Sequence, residues 1–237
     1  MKYLEIPDFD VINAALNFET AGDAKLQGRV EAYTCKLAGT DKKLFKCLEN
    51  KFQEDLEAAS SLSPEQSLSH MISPFGPLTE AASRRVLFYL IATLNASFPD
   101  YDFRFIKPEQ FTHEPDAMTV IKSINSTLFT VGDTSVVQKY RLWEAVDKVV
   151  ELNNCAVYSY CPDMDSDPFA ENNSIWSYHY FFFNRQLKRL VYFNCECQGL
   201  ASYSAGEDEE GYPMDAPNFP DFSDDEEYVM CNDGMVW

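Results

Sequence analysis

The stretch SIWSYHYFFFNRQLKRLVYF, residues 174 to 193, sets one Trp, three Tyr and four Phe around a short basic knot. Period-two alternation puts Trp176, Tyr178, Tyr180 and Phe182 on one face, and Ile175, His179, Phe181 and Phe183 on the other. Beyond the knot, Arg189, Val191, Phe193 and Cys195 alternate with Leu190 and Tyr192. Both faces are mostly aromatic or apolar, as in central strands covered on two sides. A chain with two such strands in succession must build a sheet and then cover both faces of it. Asn184-Arg185-Gln186 reads as the hairpin turn, with Asn184 suited to positive φ.

The same aromatics, interleaved with Arg185, Lys188 and Arg189, offer an alternative function: a platform on which single-stranded nucleic-acid bases stack. Such a platform needs an exposed aromatic face in a positive field. The charge runs the other way: 19 Lys and Arg face 38 Asp and Glu, a net charge of -19. From Gly206 onward eleven acids occur with no base, which leaves residues 1–205 with 27 acids against 19 bases, or -8. A nucleic-acid binder shows a basic stripe and a high pI; this chain's pI is about 4.4. Composition therefore disfavours direct nucleic-acid binding and favours the buried reading.

The remaining elements are read around that hairpin. PDFDVINAAL forms a short helix with Phe9, Ile12 and Leu16 on one face and Asp8 as its cap. AKLQGRVEAYTCK alternates Leu26, Val30 and Ala32 against Gln27, Arg29 and Glu31, a strand with one wet face. Leu44, Cys47, Leu48 and Phe52 mark an amphipathic helix. Leu87, Leu90, Ile91, Leu94 and Phe98 mark a stronger one, stopped by Pro99. FTHEPDAMTVIKSINSTLF is a turn followed by a helix from about Pro115, and Leu142, Ala145, Val146, Val149 and Leu152 define another helix. Three β-rich runs follow, at 155–161, 174–183 and 187–197. The fold class is α+β, a mostly antiparallel sheet layered with helices as an α/β sandwich. Residues 1–200 form a single globular regulatory domain interrupted by a Ser/Pro linker at 58–78, where six Ser and three Pro gather. Residues 201–237 form an acidic tail expected to be disordered.

Chemistry-bearing motifs are few. Seven Cys lie at irregular spacings without a CxxC, and His70, His113 and His179 are scattered, so reduced thiols fit better than a metal site. Asp163, Asp165 and Asp167 begin like a calcium loop, but Pro168 stands where its Gly should be and Ser174 where its Glu should be. The loop reads instead as an exposed acidic turn or a protein-docking loop. No nucleophile elbow, phosphate loop or zinc-protease motif occurs, and neither an enzyme activity nor a cofactor is expected. Arg84-Arg85 is at most part of a nuclear signal. The start MKYLEIPDFD has no secretory h-region, and no apolar run reaches the roughly 18 residues of a membrane helix, so an intracellular, soluble protein is expected.

WSYHYFFFNRQLKRLVYF resembles the C-terminal signature of the eukaryotic Maf-type repressors of RNA polymerase III transcription. GRVEAYTCKLAG at 28–39 resembles that family's N-terminal box, and LFYLIATLNASFPDYDF at 87–103 its middle box; YSYCPDMDSDPF at 158–169 leads into the third. Three separated segments thus match in the family's order. The resemblance implies an antiparallel sheet layered with helices and no catalytic activity. It also implies a regulator that shuttles between nucleus and cytoplasm. Under nutrient limitation or stress such proteins lose phosphates, enter the nucleus, bind the polymerase clamp region and block engagement with the initiation factor. Transfer-RNA and 5S RNA synthesis then falls. The implied partners are RNA polymerase III, its initiation factor, and regulatory kinases and phosphatases. Asp163, Asp165 and Asp167 are the candidate partner-binding residues. Ser63 and Ser73, each before a Pro, are the candidate phosphorylation sites for proline-directed or TOR-like kinases. The linker is compact here, which leaves phosphosites of longer relatives without a counterpart.

Overall fold

The computed structural model describes residues 1–20, 24–59, 73–131, 135–162 and 174–199. The described elements belong to one compact unit, Met1–Ala201; the second unit, Ser202–Trp237, which holds the acidic tail, lies outside the described residues.

The strands are β1 (Lys2–Leu4), β2 (Asn17–Glu19), β3 (Ala24–Thr34), β4 (Phe111–Glu114), β5 (Ala156–Tyr160), β6 (Ser174–Asn184) and β7 (Arg189–Gly199). They form one antiparallel sheet in the order β1-β3-β7-β6-β5-β4, with β2 also pairing β3. The aromatic segment is the β6–β7 hairpin at its centre. Phe181 stands opposite Tyr192 and Phe182 opposite Val191. All four are fully buried.

Two cores result, one per face, as the alternation requires. On the first face Leu26, Val30, Phe182, Val191, Phe193 and Cys195 pack under α1 (Pro7–Ala15), α4 (Ala117–Thr130), α5 (Ser135–Gln138) and α6 (Leu142–Val150). On the second, Tyr158, Tyr160, Phe181, Phe183, Leu190 and Tyr192 pack under α3 (Ala81–Ser97) and α2 (Gly39–Ala59). Leu90, Ile91 and Leu94 of α3 face the sheet, while its Phe88 meets Phe45 of α2 edge-on at 5.2 Å. A helix contacted from both sides needs apolar residues around most of its circumference, and α3 carries nine buried positions. The α+β sandwich is therefore the fold.

Local chemistry departs from the sequence reading at four places. Asp8 does not cap α1; Ile6 is the N-cap, Pro7 opens the helix, and Asp8 instead meets Lys148 at 3.4 Å. Pro at the first position has a pre-set φ and lacks only an N–H that would be unpaired anyway. Asn184 does not take positive φ; Lys188 does, at 51°. Asn184 is buried, and its Oδ1 accepts from the Gln186 and Leu187 N–H groups, so it holds the four-residue loop as an Asx turn. Residues 111–114 are strand β4 rather than a turn, and the helix after them is capped by Asp116, which accepts from Thr119 N–H at 2.7 Å. The Gln27–Arg29–Glu31 face of β3 is half-buried rather than wet, because the C-terminal turn of α3 covers it.

Gly28 is demanded by close approach. A Cβ there would lie 3.1 Å from Leu16 Cβ and 3.3 Å from the Asn194 carbonyl, so α1 could not sit as low on the sheet.

Phe182→Ala empties a site between Val157, Val191 and Trp143 and is expected to cost ~3–5 kcal/mol. Trp176 is only partly buried, so Trp176→Ala should cost less. Urea denaturation of both variants checks the order; a Phe182→Ala protein with an unchanged midpoint would mean that the hairpin is not core.

Candidate functional site

The most polar part of the sheet lies where β3, β7 and β6 pass beneath the end of α3. Along β3, β1 pairs residues 32–34 and β2 pairs residues 25–27, which leaves the edge between them without a strand. Asn13 of α1 and Asn17, the first residue of β2, fill the gap with amides. Asn13 Nδ2 donates to the Val30 carbonyl at 3.1 Å, and Val30 N–H donates to Asn13 Oδ1 at 2.6 Å. Asn17 Nδ2 donates to the Gly28 carbonyl at 3.0 Å. A primary amide carries the same donor and acceptor as a peptide unit, so Asn13 acts as a one-residue strand.

On the second face of the sheet two hydrogen-bonded groups sit side by side. In the first, Arg29 donates through Nη2 to the Ser97 carbonyl at 2.7 Å, lies 4.4 Å over the Phe98 ring and pairs with Glu31 at 3.5 Å. Glu31 also accepts from Tyr33 Oη at 2.9 Å and from Ser97 Oγ. In the second, His179 Nδ1 lies 2.7 Å from Tyr192 Oη and 3.1 Å from Asn194 Nδ2. With the Asn194 amide donating, Nδ1 is an acceptor and the ring proton sits on Nε2. Burial, aided by the Arg29 charge, pushes His179 down to about 3. Burial likewise pushes the Tyr192 phenol well up and Cys195, on the opposite face, up to about 12. His179 is therefore neutral at pH 7, as are Tyr192 and Cys195, and the seam is set for hydrogen bonding rather than proton transfer.

Beside this seam opens a cavity of about 350 Å³ lined by Asn13, Gln27, Arg29, Phe98, Glu196 and Gln198 among others. Glu196 is 9% exposed, and its Oε1 is buried without a hydrogen-bond partner. A second hollow, of about 460 Å³, lies between α2, the end of α3 and the 102–104 loop, where Asp102 and Arg104 pair with each other.

Asp163, Asp165, Asp167 and Ser63 lie outside the described residues. Ser73 is part-buried in a turn: its Oγ donates to the Gly76 carbonyl at 2.7 Å, and its carbonyl accepts from Gly76 N–H at 3.1 Å. The turn seats Phe75 against Phe111 and Tyr158, at 5.7 and 5.2 Å. Arg84 is structural, bonded to Glu49 at 2.8 Å and to the carbonyls of Leu78 and Thr79, with Phe52 beneath it. In the basic knot, Arg189 donates to the Val149 carbonyl at the end of α6, while Arg185 and Lys188 are exposed on the loop. Among the described residues no three His, Cys, Asp or Glu side chains gather as a metal site, and no helix is long and apolar enough to cross a membrane. Sequence reasoning missed Asn194, Glu196 and Gln198. Their signal was the alternation of NCECQ in β7, polar on one face and thiol on the other.

A family model described as Maf1 regulator matches residues 26–194. The repressor of RNA polymerase III transcription maf1 of Schizosaccharomyces pombe is 44% identical over 238 residues, covering 100% of this chain and 98% of its own. The repressor of RNA polymerase III transcription of Dictyostelium discoideum is 34% identical over 237 residues, covering 82% and 84%. A crystal structure of citrus MAF1 superposes with a TM-score of 0.58 at 35% identity, covering 81% of this chain and 99% of that one.

The buried histidine makes stability depend on pH. Its folded value lies below the ordinary 6.5, so below pH 6.5 the unfolded chain takes up a proton that the folded chain refuses. Stability from this group is full above pH 6.5 and falls toward pH 3. At pH 5 the loss is about 2 kcal/mol. His179→Gln should remove that part of the decline between pH 7 and 5, read from denaturation midpoints; parallel curves for the two proteins would contradict it.

Proposed function

The chain belongs to the Maf1 regulator family, and from that premise we propose that it represses transcription by RNA polymerase III. It binds the polymerase and blocks engagement with the initiation factor. The observation that carries this reading is the 44% identity, over the whole chain, to the fission-yeast repressor. The protein works by binding and not by catalysis. In support, the seam residues His179 and Tyr192, and Cys195 on the other face of the sheet, hold protonation states fixed at neutral pH.

Charge supplies the steering. A net charge of -19 draws the molecule toward basic faces of a nucleic-acid-handling machine, and salt screens that attraction over ~8–10 Å. The acidic segment bearing Asp163, Asp165 and Asp167 is the docking element. The nucleic-acid alternative loses its platform, since Phe181, Phe182, Tyr192 and Phe193 are buried.

Control is by phosphorylation of Ser63 and Ser73 by nutrient-dependent kinases, reversed by phosphatases, with the protein shuttling between cytoplasm and nucleus. At Ser73 the packing supports a mechanism. The hydroxyl donates to the Gly76 carbonyl; a phosphate brings only acceptor oxygens and about -1.5 to -2 charge, so it repels that carbonyl. The turn opens and Phe75 leaves Phe111 and Tyr158.

Purified protein is expected to bind RNA polymerase III and lower its transcription in a reconstituted assay, with binding weaker at higher salt. Replacing Asp163, Asp165 and Asp167 together by Asn should lower the affinity; unchanged affinity removes these residues from the interface. Failure of the unaltered protein to bind or repress overturns the reading itself. Mass spectrometry of protein from fed and starved cells tests the control: unmodified Ser63 and Ser73 in both states would refute it.

A further inference from the structure

We propose that the cavity beside the sheet seam is a receptor for an arginine side chain presented by a partner protein, with Glu196 as its counter-ion. Glu196 lies on β7 opposite Gln27 of β3 and Ser177 of β6, facing the α3 side of the sheet. It is more than nine-tenths buried, and its Oε1 has no hydrogen-bond partner. A buried carboxylate oxygen without a donor is costly, and such groups persist where a ligand completes them.

The neighbouring cations do not complete it. Arg29 is committed to Glu31, to the Ser97 carbonyl and to the Phe98 ring. Lys25 stands opposite Gln198, and neither it nor Glu196 takes part in any ion pair among the described residues. The unmatched charge in the cavity is therefore negative, and its occupant is cationic.

The walls select guanidinium over ammonium. The side-chain amides of Asn17, Gln27 and Gln198 line the cavity with Glu196. Together they offer several oxygen acceptors around one carboxylate, which suits a flat group with five N–H donors. Tyr101, 40% exposed, borders the cavity. The volume of about 350 Å³ is enough for one long side chain and too little for a folded segment. The occupant is one residue of a larger binding surface. The assignment stands apart from the identity of the partner, so it survives or fails independently of repression by the polymerase route.

The full chain is titrated with N-acetyl-arginine amide and, separately, with its neutral isostere N-acetyl-citrulline amide, while backbone amide signals are followed by NMR. Saturable shifts at Gln27, Glu196 and Gln198 with the arginine compound, and none with the citrulline compound, are expected. Glu196→Gln should weaken the arginine response by at least about tenfold. Equal responses to the two compounds, no saturable response to arginine, or undiminished binding in Glu196→Gln overturns the proposal. Should Glu196→Gln not fold, the comparison of the two compounds on the unaltered protein decides.

Discussion

The β3–β7–β6 ladder is the constraint from which the rest of the structure follows. Each of the three strands runs eleven residues, and the central strand carries eight buried positions in succession. A strand hidden on both faces has no solvent side, so each face must find a helical layer. That requirement explains α1, α4, α5 and α6 on one side and α2 with α3 on the other. It also explains why α3 is buried around most of its circumference, since α2 packs on the side turned away from the sheet.

The same ladder confines polarity to one end. Toward the turn, paired residues such as Phe182 and Val191 are apolar. Toward the other end, Asn194, Glu196 and Gln198 replace aromatics on the α3 face, opposite Arg29, Gln27 and Lys25. Polar side chains under a helix must be satisfied by one another, and most are: Arg29, Glu31, Tyr33 and Ser97 close one group, and His179, Tyr192 and Asn194 another. Glu196 Oε1 is buried without a hydrogen-bond partner, and Glu196 lines the cavity that the packing leaves there.

Much of this was legible in the sequence. The two-face alternation of residues 174–195 correctly gave a central hairpin and two cores, because period-two patterning reports burial directly. The helices with Leu90, Ile91 and Leu94 and with Ala145, Val146 and Val149 were equally plain. Strands β1, β2 and β4 were not, since three or four residues such as FTHE carry too few periods to signal a strand. The cap at Asp8 failed because Pro7 already opens the helix, and the turn at Asn184 failed because a longer loop moves positive φ to Lys188. The polar cavity was hidden for a different reason. It depends on register across β3, β7 and β6 and on an amide from α1, relations that one strand's sequence does not contain.

If the ladder is the framework, its amides should open last. Native-state hydrogen exchange across a urea series tests this directly. Phe181, Phe182, Val191, Tyr192 and Phe193 should exchange only through global unfolding, with the full urea dependence of the global transition. Shallow, sub-global exchange at those residues, while the amides of α3 and α6 stay protected, would contradict the account.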